Sequence, residues 1–421
     1  MHTFHIPVLG ISYSIDTPVK VARFGISSVV SIIEDGLVEK MREFYCKKSN
    51  EAYNPITTSD DDYRAKRITA YLNLLERIVN NQVSELKTQP FEEGLDIVKY
   101  FEMLPDGSPV RKKYLEMNAL PDGVQKTKLQ EELRNYISAG AIDVNIMAKV
   151  DNLKISDDGT PMPAEYSDAL SAFRGFANSN LRSSVILSAG YNPRLYNYIE
   201  SFSDFYPDND GILNKKIILK VSDYRSALIQ GKILAKKGIW ISEFRIESGL
   251  NCGGHAFATD GLLLGPILDE FKQKRPELEN ELFEICNASL AAKGLATFTS
   301  HPDFKITVQG GIGTANEDAF LRSHYGVDAT GWGSPFLLVP ETTNVNEHTL
   351  QQLAQAKKED YYISWASPLG IPFNNFRPCT SEQQRQDRIR KNRPGSPCYK
   401  KFLSTDTEFT IAPICTSSRQ Y

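Results

Sequence analysis

Two glycine-rich stretches hold the residues best suited to chemistry. Residues 308–313 read Val-Gln-Gly-Gly-Ile-Gly and follow a short β-branched run at 304–307. Residues 331–336, Gly-Trp-Gly-Ser-Pro-Phe, follow a second short run at 328–330. A strand that ends in glycines and opens a helix can cradle a phosphate. Glycine lacks a Cβ, so backbone N–H groups approach an anion closely, and a helix N-terminus adds its positive end. Gly310, Gly311 and Gly313 form the first candidate cradle, with a helix over 316–324. Gly331, Gly333 and Ser334 form the second. A plain tight turn is the competing reading of either stretch, but two in series after consecutive strands favour phosphate.

A third stretch, Glu247-Ser-Gly-Leu-Asn-Cys-Gly-Gly-His255, leaves the apolar run at 239–246. Gly253 and Gly254 would let backbone approach a flat ligand, and His255 would stand at its mouth as a proton donor or acceptor. A loop-capping role is the alternative for His255. Cys252 lacks a base fixed by sequence and reads as an inert thiol. Asn145 and Lys220 sit in or at the ends of apolar strands, where a polar side chain needs a partner or a ligand. Lys220 would face an anionic ring or pair with a carboxylate such as Glu243.

The surrounding elements alternate strand and helix. Strands are expected at 4–11, 26–33, 141–149, 184–189, 216–221, 239–246, 304–308 and 328–330. The second is nearly continuous Ile, Val and Ser, the pattern of a parallel strand buried on both faces. Thr17 caps a helix with Pro18 at its start, and Gly25 ends it. Another helix is expected at 224–237. Two segments broken near Pro276 are expected within 260–294. Between about 50 and 139 only helical patterns appear, at 64–86, 91–104 and 126–137. The fold expected is an α/β (β/α)8 TIM barrel over 1–364 with a helical insertion after strand 2. An open dinucleotide-binding sheet is the alternative, but no Gly-x-Gly-x-x-Gly follows the first strand.

The chain has 421 residues, 41% hydrophobic and 24% charged, with net charge −4. That is a globular composition, with nothing to suggest nucleic acid or membrane as partner. The N-terminus lacks a signal-peptide pattern, and six cysteines in this length do not make a disulfide scaffold, so a cytoplasmic setting is expected. Residues 365–421 form an irregular C-terminal extension without clear periodicity. Within it, 377–401 carries eight basic and two acidic residues. Cys379, Cys398 and Cys415 lack the tight Cys-x-x-Cys pair usual in zinc or iron–sulfur sites, so no metal is expected there.

The motifs resemble those of the nitronate monooxygenase group, the FMN-dependent barrels once called 2-nitropropane dioxygenases. The matching residues are Val144 and Asn145, then 251–255, then Gly310-Gly311-Ile312, then 331–336. The resemblance covers about 220 residues, from 141 to 341. It implies FMN as cofactor, with Asn145 touching the flavin and Gly253 and Gly254 lying against it. It places the phosphate on Gly310, Gly311, Gly333 and Ser334. It also implies a small-molecule substrate, with NAD(P)H or a redox partner protein as electron donor. Two departures weaken the likeness in chemistry. Ser248 stands where the family has a flavin-touching glutamine. Tyr224-Arg225-Ser226-Ala227 stands where its catalytic histidine falls, and a serine is no base near neutral pH. The FMN barrel therefore carries over better than nitronate oxidation. The alternatives are a non-redox barrel for a phosphorylated metabolite and a flavin subunit docking a partner on its basic tail.

Overall fold

The computed structural model describes residues 2–9, 14–146, 148, 151–156, 159–188, 190–247, 264–333, 335–336, 339, 342, 346–365, 373–395, 404, 406–416 and 418–421. Eight parallel strands close in sequence order into a barrel, β1 pairing with β8. They are β1 Phe4–Ile6, β2 Ser27–Ser31, β3 Ile142–Asn145, β4 Ser184–Leu187, β5 Lys216–Val221, β6 Ile241–Glu247, β7 Lys305–Gln309 and β8 Ala329–Gly331. The expected (β/α)8 barrel is the observed fold.

Several strands are shorter than their apolar runs suggest. Strand 1 ends at Ile6 rather than 11, and strand 3 at Asn145 rather than 149. Apolar residues past the last ladder partner still pack, as buried Ile32 and Ile146 do, so burial outruns pairing.

Helices alternate with the strands on the outside. They begin with α1 Thr17–Val21, α2 Asp35–Lys48 and α3 Tyr63–Thr88. Residue 16, not 17, is the N-cap of α1. Gly25 does stop the following turn, with φ of 75°. The long α3 buries Ile68, Leu72, Leu75 and Val79 in the shell around the barrel, where it meets α2 and α7 (Asp168–Ala177). A Cβ on Gly175 of α7 would stand 2.7 Å from the Ile68 side chain, so this glycine sets the closeness of that crossing.

By contrast, α4 Asp96–Glu102, α5 Pro109–Ala119 and α6 Val124–Tyr136 gather a core of their own. Phe101, Tyr114, Met117 and Leu133 are its centre, with the Phe101 and Tyr114 rings stacked 5.3 Å apart. Within the stretch read as one insertion, the first helix thus serves the barrel and the later three serve each other.

The next elements are α8 Pro193–Ile199, α9 Tyr224–Ala235 and α10 Leu264–Ala292. One correction concerns α10, a single helix that runs through Pro276. Proline inside a helix costs about 3 kcal/mol. Apolar residues on both sides offset it, since Ile267, Leu268 and Phe271 before it and Leu278, Leu282 and Leu290 after it are all buried.

After α11 Ala315–Tyr325 and α12 Glu347–Ala354, the tail also departs from expectation. Strands β9 Tyr361–Ser364 and β10 Phe373–Phe376 form an antiparallel pair, followed by α13 Thr380–Arg390. Glu382 joins them, accepting from Tyr362 Oη at 2.9 Å and from Arg385 Nε. A hairpin and helix held by polar contacts leave no apolar period to read. Among the described residues no helix is long and apolar enough to cross a membrane.

Candidate active site

Side chains alternate along a strand, and that period fixes the barrel interior. Phe244 and Ile246 belong to the apolar shell beneath the helices. Glu243, Arg245 and Glu247 of β6 therefore face inward. By the same alternation Asp143 and Asn145 of β3, Lys220 of β5, Thr307 and Gln309 of β7, and His5 of β1 also face inward. Barrel interiors are usually filled by Val, Ile and Leu. Here Val29, Ile186 and Ile218 form only a small apolar cluster, and the rest is polar.

The middle of the barrel holds a buried ion cluster. The Arg245 guanidinium is 2% exposed; its Nε lies 2.7 Å from Glu243 Oε1 and its Nη2 3.2 Å from Asp143 Oδ2. Thr307 Oγ1 donates to Glu243 at 2.5 Å. The two acids differ sharply. Burial disfavours ionisation of Glu243, but the charge and hydrogen bond of Arg245 overcome it and hold the carboxyl at about 2. Burial wins at Asp143, whose carboxyl is lifted to about 6 in spite of Arg245. The shorter contact to Glu243 accounts for the difference.

Above this cluster, toward the C-terminal end of the strands, a polar chain links side chains of four strands, β5, β6, β7 and β1. Lys220 Nζ lies 3.1 Å from Glu247 Oε1. Gln309 Nε2 donates to the same oxygen at 2.7 Å. With its amide so oriented, Gln309 Oε1 accepts from His5 Nε2 at 3.3 Å, which assigns the proton to that nitrogen. Burial, with the charge of Arg245 adding to it, holds His5 down at about 3, so it is neutral. The partner of Lys220 is thus Glu247, not Glu243. The register places Lys220 opposite Arg245, one step above Glu243, and Arg245 already occupies that acid.

The sequence-derived site residues divide into three groups. Asn145 closes β3 opposite Ser31, is buried, and makes no side-chain hydrogen bond among the described residues. Gly310 and Gly311 leave β7 with φ of 97° and 76°, conformations that favour glycine. Among the described residues, the N–H groups of Gly310, Gly311, Ile312 and Gly333 donate to nothing. Gly333 follows β8, and an added Cβ there would meet Leu9 Cδ2 at 3.6 Å, an ordinary contact and the nearest among the described residues.

Two other glycines play different parts. The Gly313 N–H donates to Glu317 Oε2 at 2.8 Å, and so does the Thr314 N–H at 2.9 Å. Glu317 thereby completes a capping box at the start of α11, and these donors hold its carboxyl below the usual range. The helix end therefore carries a carboxylate of its own, which leaves the turn before it as the free donor set. Gly331 lies within β8, where an added Cβ would meet Gln309 Cβ at 2.6 Å and His5 Nε2 at 2.7 Å. It makes room for the His5–Gln309 pair. The third group, Gly253, Gly254, His255 and Ser334, lies outside the described residues, as do Ser248, Cys252 and Cys398.

His5, Asp143, Arg245 and Gln309 were not anticipated. Their signal was present as a polar period of two, Glu-x-Arg-x-Glu at 243–247 and Lys-x-Thr-x-Gln at 305–309. In the tail, Cys379 caps α13 and Cys415 is buried. No group of three or more His, Cys, Asp or Glu side chains placed to hold a metal ion occurs among the described residues. No protein-family model matches the chain, and no curated protein matches it.

Proposed function

We propose that this barrel is an FMN-dependent oxidoreductase acting on a small molecule at its C-terminal face, with the flavin phosphate on the turns after β7 and β8. The supporting observation is the pair of adjacent glycine turns, with left-handed Gly310 and Gly311 and four backbone donors at 310–312 and 333 that are unengaged among the described residues. Such donors with no side chain between them suit a phosphate oxygen. The residues present fit the group, with one reservation in charge: Glu317 sits at the neighbouring helix end.

When bound, the flavin would supply the redox chemistry. The chain's own part is to orient it and to place charge. Lys220, fixed by Glu247, would offer a positive charge at the mouth of the barrel, and the Asn145 amide a free donor and acceptor. His255 would move a proton on the substrate side. Its replacement by Ala would lower turnover by about 10²–10⁴ with flavin retained. The electron donor on this reading is NAD(P)H or a redox partner protein, and the setting cytoplasmic.

A non-redox reaction on a phosphorylated metabolite is the second reading. The Lys220–Glu247 pair favours it, because an amine and a carboxylate side by side under a phosphate turn suit proton transfer. The test is visible absorbance of the purified protein, followed by titration with FMN. A flavin spectrum supports the first reading. Failure to bind FMN, with saturable binding of a sugar phosphate, selects the second.

A further inference from the structure

The opposite end of the barrel has an opening of its own. A cavity of about 310 Å³ enters between the N-terminal ends of the strands and reaches the ion cluster inside. Its rim carries Arg182, before β4, and Lys305, at the start of β7. Both are exposed, and neither makes an ion pair or a side-chain hydrogen bond among the described residues. A third rim cation, Lys216, is shared with Asp303 at 3.3 Å.

The floor is built differently. Arg245 and Ser242 line it, 2% and 6% exposed. Arg245 Nη1 and Ser242 Oγ are buried and have no hydrogen-bond partner among the described residues. An unmade hydrogen bond on a buried polar group costs about 1–3 kcal/mol, more on a charged one, and two residues of this floor each carry one. His2 Nδ1, also on the wall, is a third. The acids Asp143 and Glu243 lie at the same end but are engaged by Arg245. What remains unsatisfied is mainly cationic and donating.

We propose that the N-terminal mouth of the barrel binds a small oxyanion, a phosphate or carboxylate compound, between Arg182 and Lys305 at the rim and Arg245 and Ser242 at the floor. The site is separate from the C-terminal turns and does not depend on what those turns hold. Two cations at the rim draw the anion in, and the buried donors at the floor select one small enough to enter. Its depth places the ligand against the ion cluster on which His5 and the upper chain rest.

The test is calorimetric titration of the full chain at low salt with inorganic phosphate and, separately, malonate. Parent protein is compared with an Arg182→Ala/Lys305→Ala variant and with Gly333→Asp, which sets a negative charge at the other end. Both rim residues are exposed and make no ion pair or side-chain hydrogen bond among the described residues, so the double variant should fold. The proposal expects saturable binding of at least one probe, weakened about tenfold or more in the double variant. The stronger of the two probes tells phosphate from carboxylate chemistry. No saturable binding of either, or affinity within about tenfold of parent in the double variant, overturns the site. Loss in Gly333→Asp with binding kept in the double variant would put the anion at the C-terminal turns and also overturn it.

Discussion

The two mouths of this barrel achieve a similar electrostatic result by different means. At the C-terminal end the donors free among the described residues are backbone N–H groups of Gly310, Gly311, Ile312 and Gly333, while the nearby cation, Lys220, is held by Glu247. At the N-terminal end the donors are side chains, Arg182 and Lys305 outside and Arg245 within. Backbone donors are fixed in place and depend on glycine for their conformation. The exposed side-chain donors, Arg182 and Lys305, can be replaced one by one with little effect on the fold. Between the two mouths lies the ion cluster, which both ends share. Substitutions there should be costly, and those at the mouths should be selective.

The largest effect is expected in the cluster. Glu243→Gln leaves Arg245 without its shorter contact and should cost about 3–5 kcal/mol in urea unfolding at pH 7. Asp143→Asn should cost less than half as much, because burial already disfavours the charge on Asp143. Equal costs would mean the two acids share the arginine evenly, contrary to their geometry.

Next come the glycines of the upper mouth. Gly331→Ala forces a Cβ onto Gln309 and His5 and should cost about 1–3 kcal/mol. Gly333→Ala makes only an ordinary contact with Leu9 among the described residues and should stay within about 0.5 kcal/mol. A costly Gly333→Ala would show that this turn is needed for folding rather than left free for a ligand. Gly310 and Gly311 make poorer probes, since their φ values strain any side chain whatever it touches.

The pH dependence of the cluster has a definite sign. His5 stays neutral down to about 3 whereas an unfolded histidine takes up its proton near 6.5, so its contribution to stability falls as pH drops through that window. Asp143 acts the other way. Folded, it keeps its proton up to about 6, so its contribution is lost as pH rises from the ordinary carboxylate value of 3.8. The two nearly cancel across their shared window. In Asp143→Asn the His5 slope, about 1.4 kcal/mol per pH unit, is no longer opposed, and Glu243, held at about 2, adds to it below its ordinary value of 4.5, so stability should fall relative to parent as pH goes from 6 to 4. Parallel pH curves for variant and parent would contradict these assignments.

The smallest effect concerns Glu317. Glu317→Gln retains a capping acceptor but removes a negative charge beside the proposed phosphate turn. Affinity for FMN should rise by about two- to five-fold, because a like charge beside the phosphate turn is removed. Weaker binding would mean that Glu317 orders the turn more than it repels the anion.

The barrel could be read from sequence because its strands are apolar runs separated by helical periods, and a parallel order follows from that alternation. The glycine turns after β7 and β8 were legible for the same reason, since left-handed backbone at Gly310 and Gly311 leaves a residue-type signature. The interior was harder to see. In β6, Ile241, Phe244 and Ile246 make the run look uniformly apolar, and its alternate face of Glu243, Arg245 and Glu247 emerges only when each residue is matched across the barrel. The partner of Lys220 depends on register, which no local pattern states. Glu317 was legible in principle as the last residue of Thr-x-x-Glu, a capping box, but its effect on the Gly313 N–H needed the turn's geometry. The continuity of α10 through Pro276 rests on packing at both flanks, which local propensity does not contain.

The central claim is that the turns after β7 and β8 hold the phosphate of FMN. It is tested most directly by titrating the chain with FMN, for parent and Gly333→Asp, while visible absorbance and melting temperature are followed. The account predicts close to one FMN per parent chain. In the variant it predicts affinity lower by about tenfold or more, with the melting temperature of the flavin-free protein unchanged. Undiminished, stoichiometric FMN in Gly333→Asp, or no FMN on the parent chain at all, would contradict it.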